Sequence, residues 1–250
     1  MAIANTHSQW INGAQVWYPE GNQQRWIDAF GENVVKYIED FEVTPKSTAA
    51  AMAANNPEWV ITHTSAGTGM SIVQAADMKG GWMDLSPASN DNDGINMQHA
   101  NESFRVEANS WMYFGCRYKV SEATQDDFLI GLCEQDVSVL TNTSHGIYFK
   151  KIDGETKLYC ATVRDETTDK TLIATTGFAA DTVYIDEFIV KSTGSVEFWH
   201  NGSTVGKYTT PIPSTDLAVT IAFLTGAATS TEDMYIDWIR CIQLLDARTT

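Results

Sequence analysis

The sequence has few basic residues: 16 Lys and Arg stand against 32 Asp and Glu in 250 residues, a formal net charge of −16 at pH 7. Proteins that bind nucleic acids neutralise phosphates with lysine and arginine side chains. The scarcity of bases therefore argues against a nucleic-acid partner. An acidic excess favours solubility and repulsion between copies, which suits a protein displayed at high density on an outer surface.

Long apolar runs and targeting signals are also missing. No run of about 18 apolar residues is present, so the sequence predicts no membrane-spanning segment. The first ten residues, Met1 to Trp10, lack the basic and apolar regions of a secretory signal, so an unprocessed product made in the cytoplasm is expected. No C-x-x-C pair occurs, and free thiols in the core are predicted for all four cysteines, Cys116, Cys133, Cys160 and Cys241.

The usual catalytic and metal-binding motifs are absent too. No G-x-S-x-G occurs, and no predicted strand carries alternating acids that could face each other across a cleft, so we predict no catalytic residues. Asp91, Asp93 and Gly94 resemble the first half of an EF-hand loop, but Ala100 stands where the bidentate acid belongs. A polar turn is the preferred interpretation, and the sequence predicts no metal ion and no cofactor.

What the sequence does contain is a β pattern along most of its length. In residues 110–120 the side chains alternate, with Met112, Phe114, Cys116, Tyr118 and Val120 on one face. Residues 233–243 alternate likewise, which places Met234, Ile236, Trp238 and Ile242 on one face. Asp153-Gly154 and Asn201-Gly202 lie between such runs and predict tight hairpins. The fold class predicted is all-β, an antiparallel sandwich.

The first 33 residues differ from the rest, because they carry aromatic residues among Asn, Gln and Gly without a long periodic segment. We predict an extended N-terminal arm over residues 1–33 and a β-sandwich domain over residues 34–250. Aromatic residues on such an arm indicate a surface that becomes ordered on a partner. The predicted partner-docking residues are Trp10, Trp17, Tyr18 and Trp26.

Two stretches carry a resemblance to a known fold. Thr182–Gly206 reads TVYIDEFIVKSTGSVEFWHNGSTVG, and Met234–Gln243 reads MYIDWIRCIQ. They resemble the central hairpin and the last strand of concanavalin-like, laminin-G-like jelly rolls. Together with Gly80–Leu85, the loop Asn90–Gly94 and Phe128–Leu132, they are similar to jelly-roll structural proteins of tailed bacteriophage virions. The resemblance covers roughly residues 34–245.

The resemblance implies a non-enzymatic virion component, a capsid decoration or cement protein that stabilises the outer capsid shell. The partners it implies are the major capsid protein or other virion subunits and further copies of the chain, as a trimer or dimer. The implied location is the outer capsid surface, after synthesis in the host cytoplasm. Two alternatives stay open: a carbohydrate-binding, lectin-like module on a phage head or tail fibre with a glycan as its partner, and, third, a glycoside hydrolase.

Overall fold

The computed structural model describes residues 5–45, 47–48, 58–64, 69–172, 177–191, 194–227 and 232–246, and their regular elements are strands. None of these residues forms a helix long and apolar enough to cross a membrane. The strands are β1 (Thr6–Ile11), β2 (Ala14–Pro19), β3 (Asp28–Phe30), β4 (Val34–Glu39), β5 (Ser47–Thr48), β6 (Trp59–Thr64), β7 (Ser71–Gln74), β8 (Met83–Ser86), β9 (Gly94–His99), β10 (Phe104–Arg105), β11 (Trp111–Val120), β12 (Asp126–Cys133), β13 (Gly146–Lys151), β14 (Leu158–Arg164), β15 (Thr167–Leu172), β16 (Tyr184–Lys191), β17 (Ser195–His200), β18 (Ser203–Tyr208), β19 (Asp216–Thr225) and β20 (Met234–Leu244).

Two large antiparallel sheets form a sandwich, as the sequence predicts. The eight-stranded sheet has the order β15-β14-β13-β12-β19-β9-β6, with β10 beside β19. The nine-stranded sheet has the order β18-β17-β16-β11-β20-β8-β7-β5, with β4 beside β20. Neighbouring strands within each sheet are often far apart in sequence, as for β12 with β19 and β11 with β20. The pairing of β4 with β20 brings residues 34–39 next to residues 239–244, near the two ends of the chain.

The main core lies between the sheets. The predicted face of β11 is confirmed, because Met112, Phe114, Cys116, Tyr118 and Val120 are all buried in this core. Aromatic rings dominate its centre: the Phe114 and Phe188 rings stack with centroids 4.9 Å apart. The four cysteines are buried free thiols, as expected. Burial raises the pKa of Cys116, Cys133 and Cys241, which keeps these thiols protonated.

A register shift in β20 changes which side chains reach that core. Arg117 pairs with Trp238 while Tyr118 pairs with Ile236, so Asp237 is an extra residue in β20. The alternation predicted for residues 233–243 is therefore correct before Asp237 and wrong after it. The residues of β20 in the main core are Met234, Ile236, Ile239 and Cys241.

The N-terminal segment is folded onto the sandwich. Where the sequence predicts an extended arm, the structure has a three-stranded sheet of order β1-β2-β3. The reason is a two-residue hairpin at Asn12-Gly13, whose φ angles of 49° and 75° suit the tight turn. We call this unit the N-terminal sheet. It packs on the outer face of the nine-stranded sheet and shares a second core with it.

Candidate interaction surface

The outward side of the N-terminal sheet presents large aromatic side chains to solvent. Trp10 on β1 lies opposite Gln15 on β2, and Gln15 lies opposite Phe30 on β3, so these three residues form one cross-strand row. The side chains of Trp10 and Phe30 are 71% and 73% exposed. Trp17, in the next row along β2, lies on the same side of the sheet and is half-buried. We call Trp10, Trp17 and Phe30 the aromatic face.

The inward side of the same sheet buries its small apolar residues against the sandwich. Ala14, Val16 and Ala29 alternate with the outward residues and lie in the second core. Trp26, in the loop before β3, is 1% exposed, and its indole N–H donates to the Gln23 carbonyl at 3.0 Å. The nine-stranded sheet contributes its outward side chains Tyr113, Ile189, Trp199, Ile242 and Leu244. This sheet-on-sheet contact holds the aromatic face in a fixed position.

A buried charge network stabilises the contact between the N-terminal sheet and the nine-stranded sheet. The Arg25 Nε lies 2.5 Å from the Glu187 Oε2, and the Tyr113 hydroxyl donates to the Glu187 Oε1 at 2.7 Å. Glu187 belongs to the nine-stranded sheet and is 1% exposed. Burial, and then the charge of Glu187, raises the pKa of Tyr113, so the phenol stays protonated and donates. Removing Arg25 would leave the buried charge of Glu187 without its partner. The ion pair therefore favours one position of the N-terminal sheet on the nine-stranded sheet.

The predicted docking residues have different environments. Trp10 is exposed, Trp17 is half-buried on the outward side, and Tyr18 is half-buried with its ring stacked on His7. Trp26 is an internal core residue, so it does not present a surface to a partner in this conformation. The sequence analysis does not predict Phe30. The Asn12-Gly13 turn predicts a hairpin that places Trp10 on a sheet surface, but Phe30 lies on β3, which has only three residues and no local signal of its own.

The outward face of the eight-stranded sheet carries a second candidate site. The loop of residues 134–145, which we call the covering loop, lays Val139 and Leu140 on this face against Leu129, Cys133 and Ala222. It is fixed by Asn96, whose Nδ2 donates to the Asp136 carbonyl at 2.7 Å, among other bonds. Beside it lies a cavity of about 310 Å³, lined in part by Leu140, Asn142, Tyr148, Lys150, Tyr159 and Glu166.

A pair of carboxylates occupies the outward face of the nine-stranded sheet, at the end where β8 and β20 meet. The Ser86 hydroxyl lies 3.2 Å from the Asp84 Oδ1 and 2.5 Å from the Asp233 Oδ1. Burial, and then repulsion from Asp233, raises the pKa of Asp84 to about 6. Ser86 and Asp233 are 147 residues apart in the sequence, so no local motif reveals this group. A carboxyl with a raised pKa beside a second one is a pattern also found in active sites.

The Asp91–Asp93 loop is built as a turn. The Asp93 Oδ2 accepts hydrogen bonds from the Asn90 backbone N–H and from its Nδ2, both at 3.0 Å, and Asp93 is buried. Across the residues that the structure describes, no group of three or more His, Cys, Asp or Glu side chains is arranged to hold a metal ion.

Comparison with known proteins identifies the fold of this chain. No family model matches the sequence, and no curated protein matches it. The solved structures that are similar include the β-glucanase of Bacillus licheniformis (TM-score 0.60, 13% identity, covering 82% of this chain and 97% of that one). The endo-1,3-β-glucanase of Streptomyces sioyaensis is similar too (TM-score 0.59, 12% identity, covering 87% and 99%). So is the carbohydrate recognition domain of Emp46p (TM-score 0.53, 8% identity, covering 81% and 94%). At these identities the likeness concerns the fold alone, and the chain has the concanavalin-like jelly-roll fold.

Proposed function

We propose that the chain is a non-enzymatic structural protein of a tailed bacteriophage, which binds and stabilises the outer capsid shell through the aromatic face. The observation that carries this proposal is the exposure of Trp10 and Phe30, 71% and 73%, in one row of the N-terminal sheet. Aromatic residues are enriched at protein interfaces and in the few contacts that dominate binding. The virion as the site of action comes from the sequence resemblance.

The charge distribution supports docking through this side. The row of Trp10, Gln15 and Phe30 has no charged side chain, in a molecule whose formal net charge is −16. The core of a protein interface is depleted of charged residues, whereas the rim is polar. In the next row on this side Asp28 lies opposite Trp17, and its Oδ1 is 2.8 Å from the Lys36 Nζ, so its charge is paired. A docking side of low net charge with an acidic body pointing outward would keep decorated particles from associating with one another.

The non-enzymatic part of the proposal has its own argument. Glycoside hydrolysis needs two carboxyl groups across a substrate-sized cleft, about 5–5.5 Å or about 6.5–9.5 Å apart. On its outward face β12 has Asp127 at its first end, where the Oδ1 accepts from the Asp153 N–H, and then Leu129, Gly131 and Cys133, and the covering loop lies over this face. Asp84 and Asp233 are the carboxylate pair to test, because Asp84 has a raised pKa. Release of reducing sugar that Asp84→Asn abolishes would overturn the proposal.

Binding to capsid shells tests the docking role directly. We expect the purified full chain to co-sediment with empty capsid shells of the source phage, and the double variant Trp10→Ser/Phe30→Ser to lose this binding. The matched control is Val43→Ser, since Val43 is 84% exposed on another part of the surface. Equal binding by the double variant would refute the aromatic face as the docking surface. Absence of binding by the wild-type chain would refute the capsid role.

A glycan-binding function is the second candidate, and the cavity beside the covering loop favours it. Tyr148 and Tyr159 offer ring surfaces there, and Asn142, Lys150 and Glu166 lie on its lining. Small-molecule sites combine apolar and aromatic walls with a few polar groups in this way. A glycan array would detect saturable binding that Tyr159→Ala removes and Tyr18→Ala, on the N-terminal sheet, leaves unchanged. No binding to any glycan would dismiss this candidate.

A further inference from the structure

The outer edge of β1 has backbone groups that β2 does not use. The Glu20 N–H donates to the Asn5 carbonyl at 2.8 Å, and Ile11 pairs with Ala14 next to the two-residue turn. Successive residues of an antiparallel strand point their N–H and C=O groups alternately to one side and the other. The backbone groups of Thr6, Ser8 and Trp10 therefore point away from β2. In the part of the chain that the structure describes, no strand pairs with this edge.

This edge also lacks the features that usually protect a strand from pairing. The sequence of β1, THSQWI, has no charged residue and no proline, and its pairing with β2 has no bulge. Thr6, Ser8 and Trp10 are exposed. By comparison, β4 carries Lys36 and Glu39, and β18 carries Lys207 and pairs with a register shift. Uncharged, regular and exposed edges are templates for pairing with another strand.

We propose that two copies of the chain pair antiparallel through β1, about a two-fold axis at Ser8. The three outward-pointing residues are symmetric about Ser8, so the edge is complementary to itself. Ser8 then lies opposite the partner's Ser8, and Thr6 lies opposite the partner's Trp10, and each such pair exchanges two backbone hydrogen bonds. A contact that uses the same surface on both copies closes as a dimer, whereas an unrelated peptide would not need this symmetry.

The pairing has consequences for the aromatic face. The two N-terminal sheets become one continuous six-stranded sheet, and opposite residues stay on the same side of it. Trp10 of each copy lies next to Thr6 of the other, and both aromatic faces join in one surface. Each copy carries a formal net charge of −16. Because salt screens repulsion between exposed charges, the dimer dissociates more readily at low salt than at high salt.

Analytical ultracentrifugation of the full chain, over a range of protein and salt concentrations, tests this inference. We expect wild type and Ser8→Ala to form dimers and Ser8→Pro to be a monomer. The amide hydrogen that proline removes at this position points to the partner and not to β2, and edge strands accept proline there. Thermal unfolding of Ser8→Pro is expected to match that of wild type at a protein concentration where wild type is also monomeric, which shows that the loss of the dimer is not a loss of folding.

A second variant distinguishes loss of the pairing from a folding defect in Ser8→Pro. Ser8→Lys keeps the backbone hydrogen bonds but places two like charges at the axis, so it too is expected to be a monomer. A wild-type chain that stays monomeric at every concentration and salt level, or forms a trimer, overturns the inference. So does a Ser8→Lys chain that remains a dimer. The capsid role is tested separately. If the chain forms dimers that do not bind capsid shells, the capsid role alone is refuted. If the chain binds shells as a monomer, the pairing through β1 alone is refuted.

Discussion

At the scale of single residues, Lys151 and Asp126 form a fully enclosed ion pair. Both side chains are 0% exposed, and the Lys151 Nζ lies 2.5 Å from the Asp126 Oδ1. The same ammonium donates to the backbone carbonyls of Asp126 at 2.7 Å and Thr124 at 3.3 Å. Burial raises the pKa of Asp126, and the neighbouring ammonium opposes that rise. The carboxylate therefore depends on Lys151 to stay charged inside the protein.

Replacing Lys151 is expected to be costly. Lys151→Met leaves Asp126 without its counter-charge, so the free energy of unfolding should fall by about 3–5 kcal/mol. Lys157→Met is the matched control, because the Lys157 side chain is 53% exposed and a surface change of this kind shifts stability by about 0.5 kcal/mol at most. Urea denaturation of both variants measures the difference. Equal stability of the two variants would contradict this account of the ion pair.

Asp84 makes stability depend on pH. Its pKa is raised from 3.8 to about 6, so the folded chain holds this proton more tightly than the unfolded chain does. The contribution is fully present below pH 3.8 and is lost as the pH rises through about 6. We expect Asp84→Asn to reduce the fall in stability across this interval and to be more stable than wild type at neutral pH. Thermal unfolding at several pH values checks this, and a variant with an unchanged pH profile would contradict it.

At the scale of elements, the N-terminal sheet separates core tryptophans from surface tryptophans. Trp26→Ala is expected to lower the free energy of unfolding by about 3–5 kcal/mol, because a large buried ring is lost and a cavity is left. Trp10→Ala is expected to change it by about 0.5 kcal/mol at most, because Trp10 is 71% exposed. Urea denaturation measures both. A large loss for Trp10→Ala would show that its ring is held in the fold and is not available to a partner.

Deletion of the N-terminal residues is a poor test of docking for the same reason. Removing residues 1–30 would uncover Tyr113, Ile189, Trp199, Ile242 and Leu244 on the nine-stranded sheet. An exposed apolar patch of this kind promotes aggregation whatever the function. Point substitutions on the outward side of the N-terminal sheet leave this core intact, and they are the changes that report on binding.

Local sequence patterns predicted much of the strand structure. Alternation in β11 identified its core face correctly, and the Asn201-Gly202 hairpin between β17 and β18 is present. The pattern in β20 failed beyond Asp237, because a bulge inserts one residue and exchanges the two faces. The N-terminal strands were missed although Asn12-Gly13 is a hairpin signal, since β3 has only three residues and shows no period of its own. Local patterns do not reveal where two strands shift in register.

At the scale of the whole molecule, the candidate sites depend on pairings that no local pattern contains. Ser86 and Asp233 meet across 147 residues of sequence, and Arg25 reaches Glu187 only because the N-terminal sheet folds back onto the sandwich. The sequence predicts both Trp10 and Trp26 as docking residues, but in the folded chain Trp10 is exposed and Trp26 is buried. The difference lies in tertiary packing: both are tryptophans among polar residues, and only the folded chain offers Trp26 a core.

The same packing suggests a division of the molecule into three outer regions. The N-terminal sheet covers part of one side of the sandwich and displays the aromatic face. The covering loop lies on the other side, over the eight-stranded sheet. The acidic residues give the rest of the molecule its negative charge. For the proposed capsid role this arrangement means one docking side and an outward-facing, charged body.

Electron cryo-microscopy of capsid shells incubated with the full chain is the most direct test of the central claim. The account predicts density for the sandwich outside the shell, with the N-terminal sheet between the sandwich and the shell and with Trp10 and Phe30 at the contact. Density that meets the shell through the covering loop side, or shells that carry no added density at saturating protein, would contradict the claim.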